Sequence, residues 1–517
     1  MVIVHTIHEE THGLQPVGLD LKHVWIVMCP LAHRFCRVYN ALMTLRMLTK
    51  ITGMIVFCTG ASFASATDRP LNVVLLLVDD MGWTGAGCYG SDLHETPHID
   101  RLATEGVRFT QAYAAAAICS PTRASIMTGK SPARLGMTIW HEYAKNRVRN
   151  RPLLPPDAVG NLPLSEVTLA EVLQSAGYRT GHIGKWHLGD AAHYPQNHGF
   201  DLNVGGTFWG CPSTFFYPFR GPFGQDREMR YVPDLPWSKP GDYLTDRLTD
   251  AAVDFIDRAG DGPFFLNMCY YTVHTPIEGK PELTAYYEKK IKAGGDHVNA
   301  HYAAMHHSLD ESVGRILSRL HERGLADRTL VIFTSDNGGY TREHRGQQVT
   351  VNTPLRSGKG SLYEGGIRVP LIVRWPGVAP AGRTCDEPVV TTDFYPTLLE
   401  AVGQTGDAIH NDALESKSIV PVLKDPTATL GRDALYFHYP HYYPTTTPVS
   451  AVRAGDWKLL EYLEDDRIEL YNLKDDLSES KNLAAARPDK ARQLRRQLHA
   501  WRERVGARMP TPNPDYK

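Results

Sequence analysis

Four runs of apolar and β-branched residues organise the first two thirds of the chain: Asn72 to Val78, Tyr178 to Ile183, Phe264 to Tyr271, and Thr329 to Thr334. Runs of this length, the first and last almost without polar interruption, predict strands buried on both faces, as in a parallel sheet. Helical spacing precedes two of them. Thr168 to Ala176, closed by Gly177, leads into the second; Ala303 to Arg323, with Met305, Leu309, Val313, Ile316, Leu317 and Leu320 on one face and Gly324 at its end, leads into the fourth. A third helical segment includes His98 to Glu105 after Thr96-Pro97 and leads to a short strand at Val107–Phe109, while Leu371–Trp375 reads as a further strand and Thr392-Asp393 opens a helix. From Leu435 the pattern changes. Short strands at Leu435–Tyr439, Val449–Arg453, Trp457–Tyr462 and Glu469–Leu473, with turns such as Ala454-Gly455-Asp456 between them, predict an antiparallel sheet, and Pro488 to Arg504 reads as a closing amphipathic helix.

Each of the four long strands hands over to polar residues at its carboxyl end, where open α/β sheets carry their ligand sites. The first delivers Asp79-Asp80, the second Gly184-Lys185-Trp186-His187, the third His274-Thr275-Pro276 and the fourth Ser335-Asp336-Asn337-Gly338-Gly339. Two adjacent carboxylates after a buried strand are costly unless neutralised, and a hard cation does that well; the plainer alternative is a helix cap and a solvated turn. In an extended continuation of the second strand, Lys185 and His187 face the same way, a cation beside a titratable imidazole, which suits an anionic substrate with a departing oxygen. Farther on, the glycines around Lys359 in Ser357-Gly358-Lys359-Gly360 allow a close approach of backbone to ligand.

Composition narrows the class. The chain has 517 residues, a formal net charge of −2 and 42% hydrophobic residues, so no electrostatic case exists for a nucleic acid or an anionic membrane as partner. Three of its eight cysteines precede residue 67, the rest are scattered, and no Cys-x-x-Cys pair occurs, which supplies neither a disulfide scaffold nor a structural zinc motif. A basic start at Met43–Lys50, an apolar or small stretch from Ile51 to Phe63 and Ala64-Ser65-Ala66 outline a secretory signal peptide over residues 43–66, with an apolar stretch too short to span a bilayer. The expectation is an exported protein, periplasmic or secreted, with no membrane span after signal removal. Translation is then expected to start at Met43 or Met47, with residues 1–42 a mis-assigned extension.

The most specific stretch is Ala117-Ile118-Cys119-Ser120-Pro121-Thr122-Arg123, continuing to Thr128-Gly129-Lys130. Ser120 reads as an N-cap with Pro121 at the first helical position and Gly129 as the stop, which sets Cys119 just ahead of an anion-attracting helix end with Arg123 one turn on. The string Cys-x-Pro-Thr-Arg at 119–123, the string Gly-Lys-Trp-His-Leu-Gly at 184–189 and the glycine-rich segment from Pro354 to Pro370 together resemble the type I sulfatases.

The resemblance implies an α/β, alkaline-phosphatase-like fold: a mixed, mostly parallel sheet sandwiched by helices in a catalytic domain over residues 67–425, and a smaller C-terminal antiparallel-sheet subdomain over 426–517. It implies that a separate formylglycine-generating enzyme oxidises Cys119 to formylglycine, whose hydrated aldehyde attacks sulfate-ester sulfur. Asp79, Asp80, Asp336 and Asn337, with the modified Cys119, are then ligands of one calcium ion, and hard oxygen donors of this kind favour calcium or magnesium over zinc. Arg123, Lys185 and Lys359 are expected around the sulfate oxygens, His274 or Lys359 as general acid, and His187 as proton acceptor. The implied substrate is a sulfated carbohydrate or aryl sulfate, and the aromatic stretches Phe208–Pro222 and His438–Pro448 are candidate rim loops. Two other readings compete. A phosphatase or phosphodiesterase of the same fold generally uses a Ser or Thr nucleophile and histidine ligands, whereas this chain has Cys119 and an Asp336-Asn337 pair; a non-catalytic glycan-binding relative is expected to lose a ligand or the nucleophile, and none is missing.

Overall fold

The structure, a computed structural model, describes residues 70–144, 150–225 and 227–517. The signal peptide expected over 43–66 and the extension expected over 1–42 lie outside the described residues.

The large sheet has eight strands: β1 (Asn72–Val78), β2 (Val107–Phe109), β3 (Arg179–Gly184), β4 (Leu202–Val204), β5 (Phe264–Cys269), β6 (Thr329–Ser335), β7 (Leu371–Arg374) and β8 (Arg383–Cys385). Their order across the sheet is β8-β2-β7-β6-β1-β5-β3-β4. All neighbours pair parallel except β7, which runs against both β6 and β2. The four strands expected from the apolar runs are therefore contiguous in the middle of the sheet, β6-β1-β5-β3, with their carboxyl ends along one edge. The registers Val78↔Ser335 and Gly184↔Cys269 bring the residues that follow them side by side.

β1 shows why this sheet needs cover on both faces. Val74, Leu76 and Val78 enter one core cluster, while Val73, Leu75 and Leu77 enter another. Before β6, Ala300–Glu322 forms a long helix that supplies Leu309, Val313 and Ile316 to the first cluster, and Leu244–Arg258 adds Leu248 and Phe255. On the opposite side, Cys119–Thr128 supplies Ala124 and Ile126, and Phe394–Ala401 supplies Phe394 and Leu398. The helix before β3, Leu169–Ser175, begins with a capping box in which Thr168 Oγ1 accepts from the Glu171 amide and Glu171 accepts from the Thr168 amide.

The four C-terminal strands form their own antiparallel sheet, β9 (Leu435–Tyr439), β10 (Val449–Ala454), β11 (Trp457–Tyr462) and β12 (Ile468–Asn472), paired in chain order. One face takes the closing helix Pro488–Val505 through Leu494, Leu498 and Trp501. The other packs Phe437, Ala451 and Leu460 against Ile118, Leu362 and Ile367, the residues flanking Cys119 and Lys359. The small sheet thus backs two segments of the site. Within this contact Lys458 Nζ lies fully buried, 2.8 Å from Glu364 and 3.0 Å from Glu479, which ties the lysine loop to the C-terminal sheet.

Candidate active site

Three buried ion pairs form the floor. Lys185 Nζ lies 2.7 Å from Asp79 Oδ2, Lys359 Nζ lies 2.8 Å from Asp80, and Arg123 Nε donates to Asp336 Oδ2 at 2.8 Å. Each pair joins a strand end to a different segment: a cation from the end of β3, from the glycine-rich loop, and from the Cys119 helix. Three carboxylates and three cations, all but sealed from water, compensate one another, as buried charge requires. Burial, with Asp336 and Asp80 close by, pushes the Asp79 carboxyl up to about 8, although Lys185 and Arg123 oppose it. Burial also disfavours the charged form of Asp80, but Lys359, His274 and Lys185 outweigh it and hold that carboxyl below its ordinary range.

Cys119 joins this floor. Its Sγ lies 3.4 Å from Asp79 Oδ1 and 4.0 Å from Asp80 Oδ1, and burial pushes the thiol well up. His274 Nε2 stands 3.5 Å from Asp80 Oδ2, with Nδ1 donating to its neighbour's carbonyl, Thr275 O, at 2.9 Å. One ligand atom from each of Asp79, Asp80, Cys119 and His274 falls within 4.8 Å of the others. Asp336 and Asn337 reach Asp80 from the next strand: Asp336 Oδ1 accepts from the Asp80 backbone amide at 3.2 Å, and Asn337 Nδ2 donates to the Asp80 carboxylate, Oδ1, at 2.8 Å. Asn337 Oδ1 is buried with no partner among the described residues, a spare hard oxygen beside two aspartates. These residues fit an oxygen-seeking divalent cation.

Above the floor is a cavity of about 1050 Å³, lined by Cys119, His187, His274 and Lys359 among the expected residues, and by Trp140, Tyr340 and Tyr443 among aromatic ones. Arg123 and Lys185 do not reach its wall; they are buried beneath, on Asp336 and Asp79. Both flagged aromatic stretches contribute, with Gly210 and Cys211 from one and Tyr442, Tyr443 and Pro444 from the other.

Two local expectations need correction. Ser120 is not the N-cap: the helix runs Cys119–Thr128 with extended Ile118 at the cap position and no side-chain cap, and Ser120 Oγ donates instead to His187 O at 2.6 Å. Gly129, with φ of 69°, does close it. Nor does the β3 strand continue through His187. It ends at Gly184, whose φ is 98° and where a Cβ would sit 1.9 Å from Cys269 O; His187 then adopts φ of 61°, so the alternation that paired Lys185 with His187 is broken. Lys185 turns down to Asp79 and His187 turns up to the cavity wall.

The sequence reading passed over Glu142, Arg230 and Tyr340, all in the cavity wall. Glu142 and Arg230 sit in a short turn and a rim hairpin, where no local periodicity distinguishes a wall residue from a solvated one.

Comparison with known proteins gives a uniform result. The family model described as Sulfatase matches residues 71–404, and one described as N-sulphoglucosamine sulphohydrolase, C-terminal, matches residues 358–505. A Sulfatase of Formosa agariphila is 33% identical over 500 residues, covering 84% of this chain and 89% of the relative. Human N-acetylgalactosamine-6-sulfatase is 35% identical over 373 residues, covering 70% of this chain and 67% of the relative. Among solved structures, Ps i-CgsB in complex with k-i-k-neocarrahexaose superimposes with a TM-score of 0.71 at 30% identity, covering 84% of this chain and 93% of that one.

Proposed function

The chain belongs to the sulfatase family, and from that premise we propose that it removes sulfate from a sulfated carbohydrate, using residue 119 in its formylglycine form and one calcium ion held by Asp79, Asp80, Asp336 and Asn337. The observation that carries this reading is the approach of Cys119 Sγ to within 3.4 Å of Asp79 at the base of a cavity whose wall also presents Lys359 and His274.

When bound, calcium supplies a Lewis-acidic centre that draws negative oxygen toward residue 119. The protein's own groups do the rest. Lys359, at the cavity wall, offers an ammonium to the sulfate oxygens and to the departing sugar oxygen. His274 presents Nε2 from the other side of Asp80 and, once it has taken a proton there, is the alternative proton donor to the leaving oxygen. Burial and the Lys359 charge hold the His274 imidazole well below its ordinary value, so in the resting site it is neutral and Lys359 carries the proton. His187 is the acceptor for a proton from the residue 119 hydroxyl. Lys185 and Arg123 act from beneath, pairing with Asp79 and Asp336 and holding the two carboxyl groups in place.

A carbohydrate substrate fits the cavity's mixture of aromatic and polar lining, since sugar faces stack on rings while hydroxyls need hydrogen bonds. The named relatives point the same way: one is an N-acetylgalactosamine-6-sulfatase and one solved neighbour holds a neocarrahexaose. Export belongs to the same reading, and among the described residues no helix is long and apolar enough to cross a membrane.

The test is sulfate release from 4-nitrophenyl sulfate and from a panel of sulfated mono- and oligosaccharides, using protein co-expressed with a formylglycine-generating enzyme. The expected result is turnover of at least one saccharide, calcium-dependent and proportional to the fraction of residue 119 found as formylglycine by peptide mass spectrometry. Phosphate monoester hydrolysis exceeding sulfate hydrolysis in the same preparation would overturn it.

A further inference from the structure

His187 is held in an unusual way. Its backbone is left-handed, φ 61°, a conformation that strains a residue other than glycine. Two hydrogen bonds fix it there: its amide donates to Thr207 O at 2.9 Å, and its carbonyl accepts from Ser120 Oγ at 2.6 Å. The ring lies against bare backbone. A Cβ on Gly210 would stand 2.5 Å from Cε1 of His187, so only glycine leaves room for the imidazole at that point. Strain, two anchors and a cleared face all serve to aim this one ring.

The ring itself is left with both nitrogens buried and without a hydrogen-bond partner among the described residues. Glu142 Oε2 is in the same condition, and it stands 3.5 Å from His187 Nε2. Two orphaned polar atoms of complementary character thus face each other, about half an ångström beyond ordinary hydrogen-bond length, a gap typical of catalytic pairs before substrate closes the site. The other Glu142 oxygen, Oε1, lies 3.8 Å from Arg230 Nη2. Arg230 is itself pinned: its guanidinium sits 4.1 Å over the Phe223 ring and 5.1 Å over Trp209, its Nη1 donates to Cys211 Sγ at 3.0 Å, and it pairs with Glu228 at 3.2 Å. The carboxylate therefore bridges a fixed guanidinium to the imidazole.

We propose that Glu142 is the positioning residue for His187: it accepts a hydrogen bond from Nε2–H, fixes the tautomer that leaves Nδ1 free as a proton acceptor, and stabilises the imidazolium once Nδ1 has taken a proton. The inference rests on the sulfatase reading only for the identity of the proton that His187 receives. It is otherwise the logic of any carboxylate–imidazole pair, in which the acid remains ionised and acts by orientation and charge. The charged groups facing His187 divide in sign. Glu142 favours the imidazolium; Lys185 from its own segment and Arg123 from the Cys119 helix oppose it, and burial opposes it more strongly still, pulling the ring down to about 4. Among these groups Glu142 is the one that favours the charged form that proton transfer creates.

The experiment compares Glu142→Gln, Glu142→Asp and Arg230→Met with wild type across pH, reading kcat and KM separately, after thermal melting has shown each variant folded. Glu142→Gln should lower kcat by about 10- to 100-fold with KM within about twofold, and should move the acid limb of the kcat profile down by roughly one unit, since loss of a nearby carboxylate makes the imidazole harder to protonate. Glu142→Asp keeps the charge and should leave the limb near its wild-type position. Arg230→Met should move the limb the opposite way, because the carboxylate loses its competing cation. A kcat and limb unchanged in Glu142→Gln overturn the proposal, as does a rise in KM with kcat intact, which would assign Glu142 to the substrate. An NMR titration of the His187 ring in Cys119→Ser protein, with and without Glu142→Gln, repeats the comparison without turnover. Failure of the sulfatase reading therefore leaves this test standing, and equal ring titration in the two proteins would refute the pairing.

Discussion

Lys359 Nζ lies 2.8 Å from both carboxylate oxygens of Asp80. The same ammonium forms part of the cavity wall, so one charge faces two ways, toward a proposed metal ligand and toward the space a sulfate would fill. Its environment raises the lysine well above its ordinary value: burial opposes the charge, but the Asp80 carboxylate and its neighbours more than offset burial. The charge is therefore permanent at physiological pH.

Lys359→Ala follows from this. Removing one positioned donor from a buried anion site commonly costs on the order of 100- to 1000-fold in rate. Removing its charge also leaves the floor with three carboxylates and two cations, which should hold calcium at least as tightly as before. The expected outcome is a large fall in kcat/KM, greater for alkyl than for aryl sulfates because alkyl oxygens need more help to leave, with calcium affinity by calorimetry unchanged or improved. Loss of calcium and activity together would show that Lys359 maintains the loop and not the charge balance.

Arg123 and Asp336 should behave differently, because neither reaches the cavity wall. Arg123 Nη1 donates to Lys185 O at 2.8 Å while Nε holds Asp336, so the guanidinium ties the helix to two strand ends. Removing one partner of a buried pair leaves the other uncompensated, at about 3–5 kcal/mol. Arg123→Met should therefore lower the denaturant midpoint markedly and weaken calcium binding, and the double variant Arg123→Met/Asp336→Asn should recover part of the stability but none of the activity. Strict additivity in that cycle would mean the two residues are not coupled.

The order of legibility along this chain has a physical basis. β1 and β6 were readable because a strand buried on both faces must be apolar throughout, and Asp79-Asp80 and Asp336-Asn337 stood out as polar pairs where such strands stop. Their meeting depends on the Val78↔Ser335 register, which parallel pairing of neighbouring strands supplies. The C-terminal sheet was legible through its turns. Glu142 was not, because its relation to His187 is made across a separation of 45 positions by a turn and a left-handed residue, and neither leaves a period in the sequence. Ser120 misled for a related reason: a serine before proline is a good cap locally, but this one is fully buried, and the His187 carbonyl claims its hydroxyl.

Cys119 in its thiol form should be inert. Burial keeps the thiol protonated at neutral pH, and the protonated form is a poor nucleophile. Protein made without a formylglycine-generating partner is expected to fold, with a melting temperature within a few degrees of the mature form, yet to release no sulfate. Cys119→Ala should do the same in either host. Full turnover by material whose residue 119 is entirely thiol by mass spectrometry would remove the modification from the mechanism.

The last prediction concerns stability away from the chemistry. His94, His297 and His306 cluster around Thr84 and Gly85, with the His94 and His306 rings stacked at 4.2 Å and His94 and His297 edge to face at 4.5 Å. Burial, and secondarily His297, pull His306 down from 6.5 to about 3, and burial with both neighbours lowers His94 as well. A histidine whose folded value lies below its unfolded one binds a proton more readily when unfolded. Its contribution is neutral above about pH 6.5 and becomes increasingly destabilising as pH falls toward 3, reaching about 2 kcal/mol for His306 alone at pH 5. Both His306 ring nitrogens also lack a hydrogen-bond partner among the described residues. His306→Phe keeps a ring of similar size, removes two unpaired polar atoms and deletes one titrating group. It should raise the melting temperature at pH 7.5, and the variant should lose less stability than wild type between pH 7 and pH 5 in denaturant titrations. A variant less stable at pH 7.5 with an unchanged acid slope would show that these nitrogens are satisfied by ordered water and that His306 does not set the acid limit of the fold.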